Sequence, residues 1–200
     1  MKCIVIVIIF SFLNCKAQSP IIALETWKGE EQANAYYKDI NNVLDTFVGT
    51  WIYTNDNTSF KIVLRKKPMY FNNVCYEDII VGEYQFIENG VEKVNTLTNL
   101  NDTSIGAYDH HLGGNLIYND CKYLPSDDCV EGEKRLDIGY VDALKPYTGA
   151  LVLHKRVVNG QEAIKATMTL SGEMSINPDT DLPRPLPTIP LLDELVFIKQ

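Results

Sequence analysis

The chain has 200 residues, 46% of them hydrophobic and 22% charged, with 26 acidic against 18 basic side chains and a formal net charge of −8. That apolar content excludes a disordered polar chain and suits one domain able to bury about 70% of its unfolded surface. The acidic excess opposes contact with phosphate backbones, which excludes nucleic acid as a partner. The "RKK" of Arg65 to Lys67 reads as a solvated strand end.

The N-terminal "MKCIVIVIIFSFLNC" places Lys2 before an apolar run from Cys3 to Phe10. The run falls short of the about 20 residues a spanning helix needs and matches the apolar centre of an export signal. Cys15 stands where a bacterial lipoprotein signal carries its acylated cysteine, with Leu13 ahead of it, although Asn14 and Phe12 depart from the usual residues. The expectation is a signal over 1–14, lipid attachment at Cys15, and a membrane anchor contributing about 0.8 kcal/mol per buried CH2. Cleavage after Ala17 with release of a soluble product is the alternative. Residues 15–28 read as an extended tether and 29–200 as a single β domain.

From Glu30 to Leu44 the pattern is helical, because Ala33, Tyr37, Ile40, Leu44 and Phe47 recur at spacings of four and three. One amphipathic helix over 30–44 is predicted, ending at or before Gly49. From Trp51 onward the period is two. Phe60, Ile62 and Leu64 share a face in "TSFKIVLRK", and Ile80, Tyr84 and Phe86 share one in "IIVGEYQFIENGVEKVNTL". Asn89-Gly90 reads as a two-residue hairpin turn before a strand from Val91 to Leu97, and Asn159-Gly160 turns the long hairpin "ALVLHKRVVNGQEAIKATMTLSG". "KRLDIGYV" and "ELVFIKQ" complete a count of about eight to ten strands. The fold class is all-β, an antiparallel barrel or strongly curved sheet preceded by one helix. Two long irregular segments interrupt it: 99–115, and the Pro-rich 177–190, which cannot supply ladder donors.

Cys121 and Cys129 flank the turn-forming "KYLPSDD". A disulfide between them in an oxidising compartment contributes about 2.5 kcal/mol on a loop-entropy model. Cys75 reads as a buried thiol. The spacing does not match paired Cys-x-x-Cys ligands, so no metal and no cofactor is expected. His110 and His111 follow Asp109 in a Gly-rich loop, and adjacent side chains seldom address one metal, so they read as a structural or solvated pair. His154 lies opposite the Leu151/Leu153 face and is expected on the outside. The loop carboxylates Asp102, Asp109, Asp127, Asp128, Asp179 and Asp181 read as turn caps. No G-x-S-x-G, P-loop or His-Glu-x-x-His occurs, and no catalytic residue is assigned.

Gly49-Thr50-Trp51 after an amphipathic segment resembles the Gly-x-Trp start of the lipocalin and fatty-acid-binding superfamily. That resemblance implies a barrel whose first strand carries Gly49 and Trp51, with Trp51 plugging one end and a basic residue of the last strand, here Lys199, meeting it. "LDTFVGTWIYTND-TSFKIVLRK", "YEDIIVGEYQFIENGVEKVNTL", the Pro-rich run before "ELVFIKQ" and the leading "CKAQ" are similar to an uncharacterised family of exported flavobacterial proteins. This implies a Gram-negative envelope setting and an outer-membrane lipoprotein, and transfers no catalytic residue. Three functions are carried forward. The first is non-enzymatic binding of a small apolar or amphipathic ligand inside a barrel, which a filled interior would count against. The second is an interaction scaffold that contacts an envelope protein through 99–115 and 177–190. The third is a hydrolase using loop carboxylates or Asp109, His110 and His111.

Overall fold

The structure, a computed structural model, describes residues 20–26, 29–123, 128–173, 186–191 and 195–200. Its strands are β1 (Ile21–Ala23), β2 (Tyr36–Lys38), β3 (Gly49–Asn55), β4 (Thr58–Phe71), β5 (Tyr76–Glu88), β6 (Val91–Asn95), β7 (Leu112–Tyr118), β8 (Arg135–Val141), β9 (Tyr147–Val158), β10 (Gln161–Glu173) and β11 (Leu195–Lys199). Eight of them, in the order β5-β4-β3-β11-β10-β9-β8-β7, close into an antiparallel barrel when β7 pairs back onto β5. That closing seam is short, running over Ile80↔Gly114, Val81↔Gly113 and Gly82↔Leu112. β6 folds back on the upper half of β5, while β1 and β2 form a small parallel extension at its lower end.

The alternation of apolar residues decides which face turns inward. Phe60, Ile62 and Leu64 of β4, Ile80, Tyr84 and Phe86 of β5, and Leu136, Ile138 and Tyr140 of β8 join one buried cluster. Leu151 and Leu153 of β9, Ile164 and Ala166 of β10, and Phe197 of β11 close it from the other side. Asn89-Gly90 and Asn159-Gly160 both hold positive φ angles, which is what their two-residue hairpins require.

Trp51 is fully buried, and its Nε1 donates to Phe47 O at 2.8 Å. Lys155 and Lys199 lie over its ring, with Nζ at 4.5 and 5.4 Å from the centroid, so cations from β9 and β11 seal this end. Gly49 adopts φ +141°, where a side chain is strained even though its Cβ would meet nothing closer than Lys199 Cε at 3.4 Å.

The helix predicted over 30–44 does not form. Asn34 and Asn42 adopt left-handed φ values of 60° and 55°, and between them Ala35, Tyr37 and Asp39 alternate inward as an extended chain. Tyr36 and Tyr37 pair in parallel with Tyr76 and Glu77. Asp39 is buried, accepting from the amides of Val43 at 2.8 Å and Leu44 at 2.9 Å and from Lys66 Nζ at 2.9 Å. Asp78 in turn accepts from Asp39 N at 3.0 Å and Tyr36 Oη at 2.5 Å. Strand pairing and these two buried carboxylates override the helical spacing, and Ile40, expected on the buried face, is exposed. The tether also differs: β1 pairs with β2, and Leu24 is buried.

Two further corrections concern the middle of the chain. The stretch 99–115 is not one loop, since 3-10 turns at Leu97–Asn101 and Ala107–Asp109 lead into β7 at Leu112. His154 does point away from the leucine face, yet it is buried, because residues around Glu133 cover the outside of β9.

Candidate functional site

Among the described residues, large side chains fill the barrel interior. Phe60 sits at its centre, with ring centroids of Phe197 at 5.4 Å, Tyr84 at 5.9 Å and Phe86 at 6.0 Å, all in tilted or edge-on contact. Met168, on the same inner face of β10, is also buried. Eight-stranded barrels are narrow enough for side chains alone to fill them, and the large aromatics of β4, β5 and β11 do so here.

The barrel wall opens below its closing seam. After Gly114 the strands β5 and β7 separate, and β7 bulges against β8 between Gly113 and Leu116. The result is a lateral cleft of about 310 Å³ on the outer surface. Its floor includes Gly114 and Gly139, its apolar wall Leu24, Tyr37 and Leu116, and its polar wall Glu31, Glu77, Asp137 and Asn115. Glu77 is buried and oriented by two donors, the Tyr108 hydroxyl on Oε1 and Asn115 Nδ2 on Oε2 at 2.7 Å. Burial pushes the Asp137 carboxyl up, while the Tyr123 hydroxyl and the Arg135 charge work the other way without cancelling it. The Cys75 thiol beside the cleft is also raised by burial, which suits an inert side chain. Among the described residues no Lys or Arg lines the cleft.

A second constellation lies on the outer face of β5. Glu83 is fully buried, and its two oxygens accept separately from His110 Nδ1 at 2.9 Å and His111 Nδ1 at 2.7 Å. Burial pushes its carboxyl up, but the hydrogen bonds from His111, Thr96 and His110 outweigh this and hold it below the ordinary value. The adjacent histidines thus meet on one carboxylate and dock the segment 97–111 against the barrel. The sequence pattern around Glu83 had one usable sign: an acid inside the near-continuous apolar run Ile79 to Ile87 needs a partner if both faces are covered.

The remaining predicted residues separate. Cys121 and Cys129 are bonded, with Cα atoms 5.8 Å apart. Asp128 pairs with Arg156 at 2.9 Å and Lys165 at 3.1 Å beside His154. Asp102 is exposed and accepts from Ser104 N at 2.9 Å and Ser104 Oγ at 2.6 Å, as a turn cap does. Cys15, Asp127, Asp179 and Asp181 lie outside the described residues. Among the described residues no group of three or more metal-ligating side chains converges, and no helix is long and apolar enough to cross a membrane.

No curated protein and no solved structure matches the chain. A family model does match, over residues 1–200, and the chain belongs to that family, a family of unknown function designated DUF6705.

Proposed function

We propose that the protein is a non-enzymatic binder of a small amphipathic cation, held in the lateral cleft between β5, β7 and β8. The observation that carries this reading is the cleft's pairing of an apolar wall with the oriented Glu77 and the desolvated Asp137, with no basic residue among its described lining. A volume of about 310 Å³ lies within the range of small-ligand pockets. A cation arriving at Asp137 restores the stabilisation that burial removes from its charged form. The filled interior argues against carriage inside the barrel, so the ligand site moves to the wall.

The test compares hexylammonium with hexanoate by isothermal titration calorimetry. The amine should bind saturably and the acid should not. Asp137→Asn should weaken the amine about tenfold, the usual scale of one hydrogen bond to a charged group. Gly139→Val should abolish binding, because a Cβ there points into the cleft and meets only Gly113 O at 3.4 Å. Equal binding of acid and amine, or an unaffected Gly139→Val, would overturn the reading.

The proposed setting is the cell envelope, with the chain exported by its N-terminal signal and held at the membrane through acyl chains on Cys15. It rests on the signal-like apolar run and the position of Cys15 in "LNCKAQ".

A further inference from the structure

We propose a second binding site, for a small ligand bearing a tetrahedral oxyanion (a phosphate or sulfate ester), between the outer face of β4 and the segment 97–111. It rests on residues other than those of the lateral cleft and does not depend on that reading.

Two sequence features that have no part in the lateral cleft, "RKK" and the paired histidines, meet here. The β4–β5 register sets Arg65 opposite Val81 and Lys67 opposite Ile79, so both cations project from the outer face. Lys66 has the opposite sense and pairs with Asp39 and Asp45. The segment 97–111 crosses the same outer face and encloses a cleft of about 370 Å³, whose lining includes Arg65, Lys66, Lys67, Asp102, Ile105 and His110.

Each donor is oriented by the fold. Arg65 Nη1 is held by Leu100 O at 3.0 Å and Asn101 Oδ1 at 3.2 Å, which leaves its Nε and Nη2 without a partner among the described residues. Lys67 has no carboxylate partner among the described residues, and its Nζ stands 5.1 Å from the Tyr70 ring centroid. These are unneutralised cations in a chain of net charge −8. His110 is fixed from behind: the anionic Glu83 accepts at Nδ1, so that nitrogen carries hydrogen and Nε2 makes no hydrogen bond among the described residues. Its side chain is only 5% exposed, and the cleft is the space it borders.

A guanidinium, an ammonium and an imidazole around one cleft suit an anion with three or more oxygens better than a planar carboxylate. The charged groups facing His110 are Glu83 and, across that carboxylate, His111. Arg65 and Lys67 approach from β4, and Asp109 and Asp102 belong to its own segment. Asp102 is the one carboxylate among the cleft's described lining residues, and its Oδ1 accepts from Ser104. With hydrogen on both nitrogens the ring bridges Glu83 and a ligand oxygen.

Sulfate is the probe, because its own charge stays fixed near neutral pH. Titrations read by amide chemical shifts should show saturable binding, with the shifts centred on Arg65, Lys67 and His110. Arg65→Gln combined with Lys67→Gln should abolish it. His110→Asn retains an N–H toward Glu83 but lacks Nε2, so it should weaken the binding about tenfold. The tighter of phenyl phosphate and phenyl sulfate assigns the ester class. No saturable binding, binding unchanged in His110→Asn, or binding that survives the double substitution would overturn the proposal. Hexylammonium binding to the double variant separates failure here from failure at the lateral cleft, and an unchanged unfolding midpoint verifies each variant's fold.

Discussion

His154 is 2% exposed on the outer face of β9, where Arg156 Nη2 donates to its Nδ1 at 2.9 Å and Glu133 stands 3.6 Å away. An imidazole accepting from a guanidinium is neutral and carries its hydrogen on Nε2. Burial lowers its pKa first and the Arg156 charge second, against a smaller opposing effect of Glu133. The unfolded chain therefore takes up this proton before the folded one does. The contribution of His154 to stability is complete above its unfolded value, about 6.5, and is lost as pH falls toward the folded value. Denaturant midpoints at about pH 7 and about pH 5 should show a drop in the native chain that His154→Gln reduces. A wild-type midpoint independent of pH over that interval would refute the assignment. Glu83 shows the same slope at lower pH: its carboxyl is held below the ordinary value, so its share of stability is lost only as pH falls through the acid range.

Among the elements, β8 and β9 each carry one glycine, and the two look alike in sequence but differ in role. A Cβ on Gly149 would lie 1.9 Å from the Thr169 carbonyl oxygen, a backbone atom that cannot retreat without breaking the β9–β10 ladder. A Cβ on Gly139 meets only Gly113 O at 3.4 Å. Gly149→Ala should therefore cost about 3 kcal/mol, the upper range for overpacking, and Gly139→Ala should stay within about 0.5 kcal/mol. Equilibrium unfolding in urea compares the two, and equal effects would show that the β9–β10 approach is not the constraint. β7 also belongs to this scale. Its "LGGN" has the composition of a loop, and it is a strand because β5 and β8 supply ladder partners on both sides near the seam. The failed helix over 30–44 is the converse: good spacing lost to strand pairing at Tyr36 and to the amides that Asp39 collects.

For the whole molecule, closure of the barrel concentrates the large aromatics inside, and both proposed sites lie on its outer wall. The proposed anchoring belongs to this scale as well. Replacing Cys15 by Ser should move the exported chain from the membrane fraction to the soluble fraction of an envelope extract, and loss of labelling by a radioactive fatty acid should accompany the shift. A wild-type chain that is already soluble and unlabelled would favour ordinary cleavage near Ala17. The strand alternation of Phe60, Ile62 and Leu64 and the Asn-Gly turns were legible because each is decided by neighbours a few residues away. So was the all-β class. The meeting of His110 and His111 on Glu83 spans 27 residues or more, and the lateral cleft exists only because β5 and β7 stop pairing after Gly114. Local periodicity determined the long hairpin strands and their faces. Which face a loop covers, whether the interior stays open, and which buried acids find partners were decided by long-range register and packing, which no short window of sequence contains.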